Sequence, residues 1–183
     1  MELIRNIKDS KIIKNIFIAL MGTIILAISS KIKIPFYPVP MTMQTFIVLF
    51  IGLAFGWRLG VATISLYLFE GIIGLPVFSG TPEKGIGIIY FTGPTMGYLI
   101  GFLATCFFAG YFNFNKNLFK NFLKLVFATS FIYLFGMLWL GLLIGWEKPI
   151  FKLGAQPFML AELLKILIIT FMLPKIRKVR NFI

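Results

Sequence analysis

Long apolar runs, laid almost end to end, leave this chain only lipid as its main solvent. The runs fall at about 16–34, 43–55, 59–77, 88–112, 122–146 and 155–173, separated by short joints rich in Gly, Pro, Lys and Asn. A membrane-crossing helix takes roughly 20 apolar residues, so six spans use nearly all of the 183 residues and leave one transmembrane domain, 1–183. With 59% hydrophobic and 13% charged residues, the chain lacks the polar surface to coat a water-soluble globule. An outer-membrane barrel needs segments of alternating polarity, whereas these runs are continuous. The expected fold class is therefore all-α, a six-transmembrane-helix bundle.

A net charge of +12 raises the question of nucleic acid, but the basic residues form short clusters between apolar runs and not one basic, aromatic-interleaved face. Six spans place both termini on one side. That side carries Arg5, Lys8, Lys11, Lys14, Arg58, Lys116, Lys120, Lys124, Lys175, Arg177, Lys178 and Arg180, twelve in all. The opposite side carries five, Lys31, Lys33, Lys84, Lys148 and Lys152, and Lys165 lies inside the sixth run. The excess predicts cytoplasmic termini. Residues 1–14 have the basic character of a signal peptide but no small-residue cleavage site, and are expected to be retained. There Leu3, Ile4, Ile7 and Lys11 fit a short helix on the inner leaflet as well as a solvated tail.

The chemistry available is narrow. There is no histidine and one cysteine, Cys106, which removes histidine-based acid/base catalysis, most zinc or haem ligation and any internal disulfide. No Gly-rich phosphate loop ending in Lys-Ser or Lys-Thr is present, so ATP, if used, is hydrolysed by a partner. Glu162 and Lys165 stand out, because ionisable groups inside a span are costly unless they pair or face a cavity. Three residues apart on one helix face, they make either a packing ion pair or a polar binding site with a carboxylate acceptor and ammonium donors. Glu70, near the end of the third run, either snorkels to the interface or joins a site.

Pro35, Pro38 and Pro40 prevent a regular helix between the first two runs, making that segment a rigid turn or a lid wall with Thr42 and Gln44 facing a cavity. Gly93-Pro94-Thr95 breaks the start of the fourth run, and Gly97 with Gly101 offers a close-packing seam. Ala19, Thr23 and Ala27 repeat every four residues, a stripe suited to close helix approach, within the bundle or with a partner.

Four segments, Pro38 to Thr45, Gly74-Leu75-Pro76-Val77-Phe78, Gly93 to Phe102 and Leu163-Leu164-Lys165, occur in the order and spacing of one family. Together they resemble BioY, the biotin-specific substrate-binding component of energy-coupling-factor transporters. The resemblance implies a non-enzymatic subunit of a bacterial cytoplasmic membrane, capturing biotin in a pocket near the extracellular side. It implies ligand contacts from Gln44, Phe78, Ser79, Thr95, Tyr98, Glu162 and Lys165, no metal and no cofactor. It also implies a membrane coupling subunit and two ATPases as partners, docked at Ala19, Thr23 and Ala27, so that Thr23→Leu is expected to uncouple transport without abolishing binding. Where the family usually has aspartate before Leu-Leu-Lys this chain has Glu162, and where it has a second glycine after Gly-Pro-Thr this chain has Met96. Two other readings are a binding component for another vitamin and a membrane enzyme using Glu162 or Glu70 as acid or base.

Overall fold

The computed structural model describes the backbone of residues 2–182 and the side chains of residues 11–180 and 182. The chain opens with α1 (Glu2–Lys31), which begins well before the expected first span. It also stops before residue 34, because a short antiparallel ribbon, β1 (Lys33–Ile34) with β2 (Met41–Thr42), takes over. The three prolines sit in and beside the loop of this ribbon, where their missing N–H groups disturb no helix.

α2 (Gln44–Ile72) contains a reversal. A straight helix would hold Gln44 and Tyr67 roughly 35 Å apart, yet Gln44 Nε2 donates to the Tyr67 hydroxyl at 2.8 Å. A Cβ placed on Gly60 would stand 3.4 Å from the Cα of Gly52. The chain doubles back at Gly56, whose φ of 75° and ψ of 171° lie where only glycine sits without strain. The two arms of α2 correspond to the runs expected at 43–55 and 59–77. The turn is the single residue Gly56 and not the Trp57–Arg58 pair, which opens the second arm with the Arg58 guanidinium 5.1 Å over the Trp57 ring. The second arm ends at Ile72 instead of 77, because Gly74 and Pro76 cannot extend it.

After turns comes a 3-10 segment, Gly87–Thr92, followed by α3 (Met96–Tyr111). Pro94 separates them, so the run expected from 88 to 112 becomes a helix only from Met96. α4 (Leu118–Ile144) starts a turn earlier than expected, because Asn117 caps it by accepting from the Lys120 amide at 2.9 Å. A short α5 (Ile150–Gly154) leads to α6 (Met159–Phe182), which continues through Pro174 past the expected end at 173.

The seam read from Gly97 and Gly101 joins α3 to α4: added Cβ atoms would stand 2.3 Å from the Phe135 carbonyl and 2.5 Å from the Ile132 Cα. Four stretches, Lys11–Lys31, Gln44–Ile72, Leu118–Ile144 and Ile150–Arg180, are long and apolar enough to cross a membrane, and Met96–Tyr111 is a shorter apolar helix. Outward faces carry exposed Ile16, Phe17, Leu138, Leu142 and Phe171, an arrangement stable only against lipid.

Both ends of the described chain lie at the same end of the bundle. Lys14 Nζ donates to the Phe182 carbonyl, and Arg177 Nη1 donates to the Phe114 carbonyl at 2.9 Å. Arg180 lies against Gly56, 3.1 Å from where a Cβ would stand. The ribbon and the turns after α2 lie at the other end.

The stripe of α1 is turned inward. Thr23 is 2% exposed and Ala19 8%, and Ala27 packs against the core that holds Leu26 and Ile51. The neighbouring Gly22 is so close to α2 that a Cβ there would stand 2.6 Å from the Thr63 methyl. Small residues on this face let α1 settle onto α2 inside the bundle, so the stripe is not a free docking surface in this arrangement.

Candidate functional site

The one buried ion pair among the described residues is built from the first two turns of α6. Glu162 and Lys165 are 5% and 8% exposed, with Lys165 Nζ 3.5 Å from Glu162 Oε2. Neither charge is tolerable there without further partners. Lys165 Nζ donates to the Thr42 carbonyl at 2.7 Å and to Thr45 Oγ1 at 3.0 Å. Glu162 Oε2 accepts from Thr45 Oγ1 at 3.0 Å and from the Tyr133 hydroxyl at 3.1 Å. An ammonium has three protons, and Lys165 has three acceptors, the glutamate being the most distant.

This cluster forms one wall of a cavity of about 60 Å³ at the ribbon end of the bundle. Its other walls include Val39, Gln44, Ser79, Tyr90, Thr95 and Tyr98. A water needs about 10–15 Å³ of such space, so the cavity as it stands is the size of a few waters. Two buried side-chain atoms lack a hydrogen-bond partner among the described residues, Ser79 Oγ and Glu162 Oε1, and both residues line this cavity. A larger cleft of about 370 Å³ lies between α4 and α6. Its surface is mostly apolar: the Thr129 and Ser130 hydroxyls donate to their own helix backbone, and Tyr133 and Glu162 are shared with the smaller cavity.

Each wall is held by neighbours. Gln44 is fixed between the Tyr67 hydroxyl, to which it donates at 2.8 Å, and Thr42 Oγ1, which donates to it at 3.2 Å. Tyr98, which also lines the cavity, is anchored by donating to the Gly154 carbonyl at 2.7 Å. The segment carrying Ser79 is gripped through its carbonyls by side chains from three directions. Ser30 and Tyr67 each donate to the Val77 carbonyl at 2.8 Å. Lys31 Nζ donates to the Phe78 carbonyl at 2.9 Å and to the Thr81 carbonyl at 3.1 Å, and Tyr90 donates to the Ser79 carbonyl at 2.8 Å.

Of the residues expected to meet a ligand, Gln44, Ser79, Thr95, Tyr98, Glu162 and Lys165 line this one cavity. Phe78 does not. It is 1% exposed and packed behind the wall, stacked on Tyr90 at 4.8 Å and edge-on to Tyr67 at 5.2 Å. Thr42 faces the cavity as the lid reading expects. Glu70 sits in the last turn of α2 and is not part of the cavity lining. Sequence reasoning missed Thr45 and Tyr133, the two hydroxyls on the glutamate. Their only signal was that a tyrosine in an apolar helix needs a partner for its hydroxyl.

A family model described as the BioY family matches residues 4–182. The probable biotin transporter BioY of Pyrococcus horikoshii is 34% identical over 76% of this chain and 81% of its own length. The probable biotin transporter BioY of Rickettsia prowazekii is 33% identical over 88% of this chain and 82% of its own. The biotin transporter BioY of Thermotoga maritima is 30% identical over 85% of this chain and 91% of its own. A crystal structure of the S-component for biotin from an ECF-type ABC transporter superposes with a TM-score of 0.76 over 92% of this chain and 93% of that one, at 24% identity, which shows a shared fold. The match along nearly the whole length, together with a buried Glu162–Lys165 pair at a cavity between the broken segments, places this chain in the BioY family, a family of multi-pass membrane transport proteins.

Proposed function

We propose that this chain captures biotin as the substrate-binding subunit of an energy-coupling-factor transporter. The observation that carries the reading is the pair of unsatisfied buried atoms, Glu162 Oε1 and Ser79 Oγ, on residues lining one cavity. An orphaned buried polar group costs about 1–3 kcal/mol, more when charged, and a ligand with matching groups recovers that energy on binding. A cyclic urea offers adjacent N–H donors and a carbonyl. Its N–H meets Glu162 Oε1, and its carbonyl takes the Lys165 proton now shared with the glutamate at 3.5 Å. Ser79 Oγ meets a further polar atom, while Tyr98, Tyr90, Phe158 and Val39 cover the apolar body. The relatives named as biotin transporters support this ligand over another vitamin.

A cavity of about 60 Å³ is smaller than such a ligand, so capture in this reading spreads the ribbon from the segment carrying Ser79. We read the chain as six spans, counting the two arms of α2 separately, with the cation-rich end in the cytoplasm of a bacterium and the cavity toward the outside. The partners are a membrane coupling subunit and two ATPases. We place docking of the coupling subunit on the uncovered face of α1, where Leu20, Ile24 and Ile28 are exposed. The buried stripe of Ala19, Thr23 and Ala27 then sets how closely α1 sits on α2.

Titration calorimetry of the detergent-purified protein with biotin tests the reading. We expect saturable binding by the wild type, at least tenfold weaker binding by Glu162→Gln, which keeps the size but removes the charge, and similar weakening by Lys165→Ala. A monodisperse wild type that takes up no biotin but binds thiamine or riboflavin would replace biotin with that vitamin. Turnover of an added lipid by the pure protein would favour the enzyme reading.

A further inference from the structure

The seam between α4 and α6 carries a hollow that shares no residue with the cavity and a cleft that shares with it only Tyr133 and Glu162. At the cation-rich end, a hollow of about 370 Å³ is lined by Lys116 and Arg177 together with Asn115, Asn121, Leu118 and Leu173. Further along the same two helices lies the apolar cleft of about 370 Å³, lined by Val126, Ser130, Leu134 and Met137 of α4 and Leu163 and Ile166 of α6.

The hollow is cationic. Asn121 is 2% exposed and its amide is committed within the fold, accepting from the Asn115 amide at 3.2 Å and donating to the Asn115 carbonyl at 2.8 Å. Arg177 uses Nη1 to hold the Phe114 carbonyl at 2.9 Å, which fixes the guanidinium and leaves its other N–H groups without a hydrogen-bond partner among the described residues. Lys116 Nζ likewise has none. Residues 113–126 and 171–182 hold seven cations, Lys116, Lys120, Lys124, Lys175, Arg177, Lys178 and Arg180, and no Asp or Glu. Nothing within these two segments neutralises the charge of the hollow.

The apolar cleft supplies the other half. From Asn121 to Ser130 along α4 is about 14 Å, close to one leaflet of a hydrocarbon core roughly 30 Å thick. Ser130, Leu134, Leu163 and Met159, all exposed, border the cleft on its lipid side. A cationic hollow and an apolar cleft set one after the other along the same two helices are complementary to one molecule with an anionic head and a long hydrocarbon tail. We propose that the α4–α6 seam is a site for one anionic phospholipid, its phosphate held by Lys116 and Arg177 and an acyl chain lying in the cleft along Ser130 and Leu134. The site goes beyond ligand capture, and it does not depend on which vitamin the cavity holds.

Native mass spectrometry of the full chain tests it, with dipalmitoyl phosphatidylglycerol, dipalmitoyl phosphatidylcholine and the short-chain dihexanoyl phosphatidylglycerol as probes. The wild type is expected to retain one long-chain phosphatidylglycerol at least tenfold more than phosphatidylcholine. Lys116 is exposed, so Lys116→Gln removes the charge without touching the core and should cut that preference about fivefold. Ser130→Trp, at an exposed position, should fill the cleft and lose the long-chain lipid while short-chain phosphatidylglycerol still binds. Equal retention of both head groups by the wild type overturns the proposal, and so do two folded variants that match the wild type, fold being checked by thermal midpoint. A Lys116→Gln protein with unchanged lipid preference but lost assembly with the coupling subunit overturns it too, and makes the basic end a protein-docking surface.

Discussion

Removing Lys165 tests whether the buried pair is one unit or two separate residues. In Lys165→Met the methionine fills most of the lysine stem, but Glu162 loses the only cation paired with it among the described residues and keeps Thr45 and Tyr133 as donors. Breaking a buried pair from one side costs about 3–5 kcal/mol, and the two remaining donors place the expected loss at the lower end, about 3 kcal/mol. In Glu162→Gln the lysine keeps the Thr42 carbonyl at 2.7 Å and Thr45 Oγ1 at 3.0 Å, so that loss is smaller, about 1–2 kcal/mol. The double variant removes both charges together and should cost at least about 1 kcal/mol less than the two single losses added. Reversible denaturation in mixed micelles, followed by tryptophan fluorescence, gives the three values. If the single losses simply add, to within about 0.5 kcal/mol, the 3.5 Å contact carries no coupling and the account of the site as a linked acceptor and donor is refuted.

Three further outcomes follow from the packing. Gly101→Val should cost about 3 kcal/mol by forcing α3 off the Ile132 backbone, seen as a lower melting midpoint with loss of monodispersity. Thr23→Leu, buried at 2%, should lower stability and biotin binding together, whereas Leu20→Ala with Ile24→Ala on the outward face should lower uptake by vesicles and spare binding. Selective uncoupling by Thr23→Leu would instead show that a partner reaches the stripe. Lys31→Met should raise the biotin dissociation rate about tenfold in stopped-flow measurements, because charge-assisted bonds to the Phe78 and Thr81 carbonyls are lost.

What the sequence made legible follows the size of the energetic penalty involved. Two charges inside an apolar run are so costly that Glu162 and Lys165 stand out as a buried, partnered pair without any structure. Prolines and glycines that stop helices marked the breaks before α2 and α3 on the same reasoning, though the pairing of β1 with β2 was not read. Thr45 was not legible, since a threonine hydroxyl on a helix can satisfy itself on its own backbone; Tyr133 cannot, but the need of its hydroxyl for a partner does not say which residue supplies it. The reversal at Gly56 was displaced onto Trp57 and Arg58, because hydropathy registers side chains while the turn depends on one positive φ. Phe78 and Ser79 are adjacent, yet one enters an aromatic cluster and the other faces the cavity, a divergence set by the turn geometry after α2. The stripe on α1 shows a symmetric ambiguity: small residues permit close approach equally to a neighbouring helix and to another protein.

The segment from Val77 to Thr81 has little regular structure of its own, and its carbonyls are held by Ser30 and Lys31 of α1, Tyr67 of α2 and Tyr90 of the 3-10 turn. It therefore behaves as a gauge of helix spacing. A displacement of α1 by little more than an ångström stretches the bonds from Ser30 and Lys31 beyond useful length, while those from Tyr67 and Tyr90 hold. The strand of chain carrying Ser79 would then be tethered on one flank only, and any force that pulls on α1 from the lipid side would be felt first at the cavity wall.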